Sequence, residues 1–179
     1  MKSQGFTLIE VTVAIGLTSL LIGTVSSLLL VALSAQRQSL ATQELISQGS
    51  SMEEYMTRAL RQAQKETGQG CLSSDGLNYE LTHFNSGVRF INSQGQCQEF
   101  YLETGRLKEL RGAQTTFLSP DDVSILAFNV ALAGESQADT LQPKVTFFMD
   151  VQGKGAKAGS QARFQMQTTI SQRSHDITE

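Results

Sequence analysis

The sequence predicts an α+β protein, with a long N-terminal helix packed on an antiparallel β-sheet head. Three observations lead to this fold class. Residues 11–33 carry no charge, residues 36–64 contain no proline and one glycine, and residues 71–179 alternate apolar and polar side chains between turn residues. The length of 179 residues suits one ordinary domain, or a smaller domain with an appended element.

The charge balance excludes some classes of partner. Lys and Arg number 14 against 17 Asp and Glu, a formal net charge of −3, and no basic stripe is present. Nucleic-acid binding is therefore not expected, because it requires a basic surface. A hydrophobic content of 40% excludes wholesale disorder.

The apolar run at residues 11–33 predicts a helix that crosses a membrane. At about 1.5 Å per residue it would span roughly 35 Å, slightly more than a hydrocarbon core of about 30 Å. Its hydroxyl side chains can bond back to the carbonyl at i−4 and so need no water. These are Thr12, Thr18, Ser19, Thr24, Ser26 and Ser27.

Three interpretations of this run are open. It can be a Sec signal peptide, with Ala32 and Ser34 as the small residues before the cut, although it is longer than the usual apolar region of about 7–15 residues. It can be a generic signal anchor. The third interpretation must explain Glu10, which lies at the head of the run. A carboxylate at membrane depth costs about 2.5–3.5 kcal/mol on insertion scales and usually has a partner.

The segment KSQGFTLIEV at residues 2–11 resembles the leader of type IV pilins and type II secretion pseudopilins. In that family a short basic leader ends in Gly, prepilin peptidase cuts after it, and the new N-terminal Phe is methylated. The resemblance implies that Gly5 precedes the cut, that Phe6 is the methylated N-terminus and that Glu10 is the assembly glutamate. It also implies a pilin-like fold.

Electrostatics agree with these roles. Cleavage after Gly5 creates an α-ammonium on Phe6, which can reach the Glu10 carboxylate of a neighbouring subunit when helices stack with an axial stagger. Each charge then offsets the desolvation of the other. The alternative is that Glu10 extends its side chain to the lipid headgroups.

The helix is predicted to continue beyond the membrane, which divides the chain into a leader at 1–5, a helix at 6–67 and a head at 71–179. Gly68 and Gly70 supply the stop. The residues of the predicted packing face are Leu40, Leu45, Ile46, Met52, Met56, Leu60 and Ala63.

The head is predicted to be a meander of five to seven antiparallel strands. The strand segments are 77–81, 88–90, 98–102, 123–132, 145–151 and 162–170, and Thr104-Gly105 predicts a hairpin turn. The stretch GKGAKAG at 153–159 is interpreted as a hairpin loop, because it lacks the end of a phosphate-binding loop.

Two cysteines lie in the predicted head. The leader places Cys71 and Cys97 outside the inner membrane, where a disulfide between them is expected. Two free thiols and a pair of zinc ligands are the alternatives; no further His or Cys spacing completes a tetrahedral site.

No catalytic constellation is visible, and the protein is expected to be a substrate of an enzyme rather than an enzyme. A short helix is predicted to begin at Ser119-Pro120-Asp121-Asp122. A calcium site there is the more specific alternative, since some pseudopilins hold calcium in their loops. The calcium-loop spacing is absent. His83 and His175 belong to no motif, and no cofactor is expected.

The function favoured is a minor pilin or pseudopilin that primes or caps a filament. The segments 124–130, 142–151 and 168–173 resemble, in that order, strands of the minor pseudopilin J. The alternatives are a major pilin and a monomeric membrane-anchored ligand-binding protein. The expected partners are other pilin subunits, prepilin peptidase and an inner-membrane assembly platform, with the anchor in the inner membrane and the head in the periplasm or outside the cell.

Overall fold

The computed structural model describes residue 5 and residues 7–135, 141–154 and 161–173. The chain divides into two compact units, Met1–Leu40 and Ala41–Glu179. The helix α1 (Leu8–Arg61) contributes to both, and the strands all belong to the second. The α+β class predicted from the sequence is confirmed.

In the first unit, α1 presents its apolar side chains to the surroundings. Leu8, Leu20 and Val31 are each about two thirds exposed or more, so this part of the helix has no core of its own. Within the described residues, five of the six predicted hydroxyl groups bond back to a carbonyl of the helix, at i−3 or i−4. For example, Thr18 Oγ1 donates to the Ala14 carbonyl at 2.9 Å. The helix is long and apolar enough to cross a membrane.

The helix ends at Arg61, six residues before the predicted boundary at 67. The Gln64 N–H donates to the Ile91 carbonyl at 2.8 Å, and the Glu66 N–H donates to the Leu77 carbonyl at 2.8 Å. Because these bonds to later segments replace the i−4 bonds of a helix, the chain leaves the helical path before the two glycines that were expected to stop it.

The second unit buries one face of α1. The buried residues recur every three or four positions: Leu45, Gly49, Met52, Met56 and Leu60. Leu40 and Ile46, predicted on the same face, are 57% and 45% exposed. A Cβ added at Gly49 would stand 2.2 Å from the Phe164 ring, so glycine permits the close approach of helix and strand there.

The head contains eight strands in the described residues, arranged in two sheets rather than the one predicted meander. The first sheet has the antiparallel order β1-β2-β3-β4-β5. Its strands are β1 (Tyr79–Thr82), β2 (Gly87–Ile91), β3 (Cys97–Glu103), β4 (Arg106–Arg111) and β5 (Gln114–Phe117). Thr104-Gly105 forms the β3–β4 turn as predicted, whereas β5 was not predicted.

The second sheet has the antiparallel order β6-β7-β8. Its strands are β6 (Val123–Ala133), β7 (Lys144–Gly153) and β8 (Arg163–Ser171). Side chains of α1 and of both sheets form one hydrophobic core. Its fully buried members include Met56, Leu60, Tyr79, Phe90, Phe100, Phe128 and Phe147.

The helix start predicted at Ser119-Pro120 is wrong. Ser119 Oγ accepts from the Leu107 N–H at 3.1 Å, and its carbonyl accepts from Arg106 Nη2 at 2.8 Å. These bonds tie the segment to β4, so the chain turns there and enters β6 at Val123. This turn is also where the chain passes from the first sheet to the second.

Candidate functional site

The N-terminal motif heads α1. Gly5 is exposed, and a side chain added there would meet nothing within 4 Å. Phe6, the predicted N-terminus after processing, lies outside the described residues. The space around Gly5 therefore does not require a glycine there.

Thr7 and Glu10 cap the N-terminus of α1 reciprocally. The Glu10 Oε2 accepts from the Thr7 N–H at 2.9 Å and from the Thr7 hydroxyl at 2.8 Å. In return, the Glu10 N–H donates to Thr7 Oγ1 at 3.4 Å. This arrangement is a capping box, whose signature is Ser or Thr followed three residues later by Glu or Gln. The Thr7-x-x-Glu10 spacing is the signal for this cap. The sequence interpretation considered only assembly and the lipid headgroups for Glu10, and did not use it.

Glu10 thus sits where the sequence places it, between the leader and the uncharged stretch. Of its two oxygens, Oε2 holds Thr7, and in the described residues no cation lies within 4 Å of the carboxylate. The helix N-terminus favours a negative charge at this position, since the first backbone N–H groups carry a partial positive charge. The carboxylate is therefore fixed in place with one oxygen available for another donor.

A disulfide joins the loop after α1 to the first residue of β3. The Cys71 and Cys97 sulfur atoms are bonded, with Cα atoms 5.4 Å apart, which confirms the disulfide predicted from the sequence. The bond connects the segment that follows the helix with the middle of the first sheet. It therefore restrains the position of the helix end against the strands.

A buried carboxylate organises the same loop. Glu66 is 2% exposed, and its side chain accepts five backbone N–H groups of the loop. Oε1 accepts from Gly68, Gln69 and Gly70 at 3.0, 2.5 and 3.2 Å. Oε2 accepts from Cys71 and Leu72, each at 2.9 Å. The bond from the Leu72 N–H is the main cause that lowers the pKa of Glu66 below its usual value.

One turn between β1 and β2 carries unusual backbone. His83, Phe84 and Asn85 have positive φ angles of 50°, 53° and 70°, the left-handed region that residues with a Cβ rarely adopt. The His83 ring stacks on Tyr101 at 4.6 Å, and its Nε2 lies 3.1 Å from the Glu99 carboxylate. Phe84 is left fully exposed. No sequence pattern indicated this turn.

The other predicted candidates are not brought together. Asp121 pairs with Arg106 at 2.6 Å, and Asp122 accepts from Gln48 at 3.2 Å. Within the described ranges no group of three His, Cys, Asp or Glu side chains could hold a metal ion. His175 and most of the GKGAKAG stretch lie outside those ranges.

Removing the disulfide should destabilise the head strongly. For the double variant Cys71→Ser/Cys97→Ser we expect the free energy of unfolding to fall by about 3–4 kcal/mol, because the bond closes a loop in the unfolded chain. Denaturant unfolding of the full-length protein in detergent, followed by tyrosine fluorescence, measures this. Wild type treated with reductant is the control and should lose the same amount. Quantitative alkylation of both thiols in freshly prepared wild type would contradict the disulfide itself.

Comparison with known proteins locates one motif. Residues 1–26 match the family model described as the prokaryotic N-terminal methylation motif. No curated protein and no solved structure matches the chain. The match covers Gly5, Glu10 and the first two thirds of the apolar stretch. The chain therefore carries a prepilin-type N-terminus, and this motif supports its membership of the type IV pilin and pseudopilin family, as a substrate of prepilin peptidase.

Proposed function

We propose that this protein is a minor pilin or pseudopilin, a subunit that primes or caps a filament after prepilin peptidase has cut between Gly5 and Phe6. The observation that supports this most is the position of Glu10. Its carboxylate is held by Thr7 at the first turn of α1, and an uncharged stretch of membrane length follows directly. The cap uses only one carboxylate oxygen of Glu10, and a charged group at the head of an apolar stretch is costly unless it has a partner.

The proposed assembly contact is a charge pair. Cleavage leaves an α-ammonium on Phe6, and the Glu10 oxygen that Thr7 does not hold would accept it from the adjacent subunit. In an apolar filament core the two charges are costly unless they meet, so the pair selects one axial stagger between helices. Six hydroxyl groups of α1 bond back to carbonyls of the helix, so these donors are satisfied without water.

The minor role rests on the head. The segments 124–130, 142–151 and 168–173, which resemble strands of the minor pseudopilin J in order, fall on β6, β7 and the end of β8. We place the anchor in the inner membrane before assembly and the head in the periplasm or outside the cell, where the disulfide is stable. The inner-membrane assembly platform and the other pilin subunits are the partners, and the protein has no catalytic role.

Processing tests the proposal. In cells that contain prepilin peptidase, wild type should begin at N-methylated Phe6, and Gly5→Asp should retain residues 1–5. Because a side chain at Gly5 meets nothing in the fold, the variant should keep the unfolding midpoint of wild type. Intact-mass spectrometry distinguishes the products. A mature start near Ala35 would instead establish a Sec signal peptide and refute the proposal.

The presence of the protein in filaments and its number of copies there separate the alternatives. A major pilin would be the most abundant subunit in sheared filaments, whereas a minor subunit is present in few copies. A monomeric binding protein would be processed but absent from filaments. Quantitative mass spectrometry of purified filaments therefore discriminates all three.

A further inference from the structure

The strand β8 is an open edge of the second sheet. The register and two flanking bonds show which of its backbone groups face outwards. The Gly153 N–H donates to the Ala162 carbonyl and the Gln172 N–H donates to the Pro143 carbonyl. Even-numbered residues therefore face β7, so the odd-numbered ones face away from the sheet. The outward residues are Arg163, Gln165, Gln167, Thr169 and Ser171.

These outward groups have no backbone partner among the described residues. The next outward group along the chain, the Arg173 N–H, donates to the Arg61 carbonyl at the end of α1 at 3.0 Å. The helix thus closes the edge at Arg173 and leaves the nine residues of β8 open.

In the part of the chain that the structure describes, β8 lacks the usual protection of an edge strand. Protected edges are short, bulged or interrupted by Pro or by unpaired charges. The edge strands β1 and β5 have four residues each, and β6 is bulged between Ile125 and Ala127. In contrast, β8 contains no Pro and no Gly, and its one charged residue, Arg163, is paired with Asp150.

A basic groove lies at the C-terminal end of this edge. It has a volume of about 720 Å³ and is lined by Arg58, Arg61 and Arg173 together with hydroxyl and amide side chains. Its one acid, Glu54, pairs with Arg58 at 2.6 Å. In the described part of the chain, Arg61 and Arg173 have no carboxylate within 4 Å. In a protein of net charge −3, two guanidinium groups without acidic partners beside an open edge indicate an anionic ligand.

We propose that β8 binds an extended, acidic segment of a partner protein, which adds to the second sheet as a fourth strand. The backbone of the segment pairs with the outward groups of β8, and a carboxylate near the end of the segment binds Arg61 and Arg173. The occupant is a peptide rather than a nucleic acid, because a strand edge offers alternating donors and acceptors that match a peptide backbone.

The test uses the full-length protein in detergent and a defined probe. The probe is a fluorescent synthetic nonapeptide, two aspartates followed by alternating Thr and Val. Fluorescence anisotropy gives its Kd. A second peptide, N-methylated at alternate residues, cannot pair with a strand edge, and a third carries two lysines in place of the aspartates.

Two variants address the two contacts. Gln167→Pro removes one outward N–H without removing a bond to β7, a place where an edge strand tolerates proline, and Gln167→Ala is its control. Arg61→Gln/Arg173→Gln removes the two guanidinium groups. We expect N-methylation or Gln167→Pro to raise the Kd at least about tenfold. The arginine variant should raise it about tenfold for the aspartate peptide, and leave a peptide with Asn in place of Asp unaffected.

Hydrogen exchange gives an independent readout, since bound peptide should protect the outward amides of β8 in wild type. Several outcomes would overturn the proposal. These are no saturation by about 1 mM peptide, equal affinity for the N-methylated peptide, or equal affinity for the lysine peptide. Dimerisation of the protein that Gln167→Pro abolishes would assign the edge to a second copy and equally overturn it.

Discussion

We expect Glu10→Gln to lower the share of this protein in filaments by about tenfold or more while its amount in the membrane stays unchanged. Glutamine removes the charge, so the α-ammonium of the adjacent subunit is left without a counter-charge in an apolar setting. The substitution keeps the start of the helix, because the amide oxygen of glutamine can accept from Thr7 as the carboxylate does. The expected defect is therefore in assembly and not in folding.

The measurement is the ratio of the protein in sheared filaments to the protein in membranes at matched expression. Glu44→Gln is the matched control, since Glu44 is an exposed glutamate of the same helix whose one side-chain partner among the described residues is Gln48. Cleavage after Gly5 should persist in both variants, because the cut lies on the other side of Phe6. A ratio for Glu10→Gln equal to that of wild type would remove the charge pair and leave Glu10 as a helix cap alone.

The parts of the fold that were predicted carry local signals. A run of 23 uncharged residues predicts a helix of membrane-spanning length. Thr104-Gly105 predicts the β3–β4 hairpin, and these two residues adopt the positive φ angles of such a turn. The strands β6 and β7 are apolar runs rich in branched side chains. Each signal lies within the segment that it describes, so no knowledge of distant contacts is needed.

The parts that were not predicted depend on distant partners. The helix ends early because the carbonyls of Ile91 and Leu77 accept from the N–H groups of Gln64 and Glu66. Both carbonyls lie far along the chain, so the local pattern of α1 does not show them. The strand β5 is exposed at all four positions, so it shows no alternation. The division into two sheets follows from the turn at Ser119, whose bonds to β4 form only when both segments are in place.

The candidate site divides in the same way. Gly5, Phe6 and Glu10 form a short linear motif and were read directly from the sequence. Glu66 was not, because its partners are backbone N–H groups, which every residue except proline carries. Gly68 and Gly70, which both have positive φ in the structure, are the only local sign in the sequence that this loop turns tightly around the Glu66 carboxylate.

Glu66 should therefore matter more than its position in a loop suggests, and Glu66→Gln should destabilise the head. The glutamine oxygen can accept some of the five N–H groups, but its NH₂ cannot accept the others. These are left buried and without a partner beside the disulfide. We expect the midpoint of thermal unfolding to fall by roughly 10 °C at pH 7. Glu54→Gln, which removes an exposed i,i+4 pair, is the control and should change the midpoint little.

The effect should depend on pH with a defined sign. The fold lowers the pKa of Glu66 below the usual 4.5, chiefly through the Leu72 N–H, so the ionised carboxylate is favoured in the folded state. The stability that it contributes is fully present above pH 4.5 and is lost as the pH falls through the lowered pKa. The gap between wild type and Glu66→Gln should consequently narrow at acid pH.

Unfolding midpoints of full-length wild type and variant, followed by tyrosine fluorescence between pH 7 and pH 3, measure this gap. All three tyrosines lie in the second unit, so the signal reports the head. Arg163 also lowers the pKa of Asp150, so the stability that Asp150 contributes to the fold is lost in acid. Asp150 is present in both proteins, so its contribution cancels in the difference between their midpoints. A difference between the two midpoints that stays constant with pH would mean that the five bonds do not require the charge of Glu66. A difference that widens in acid would contradict the lowered pKa.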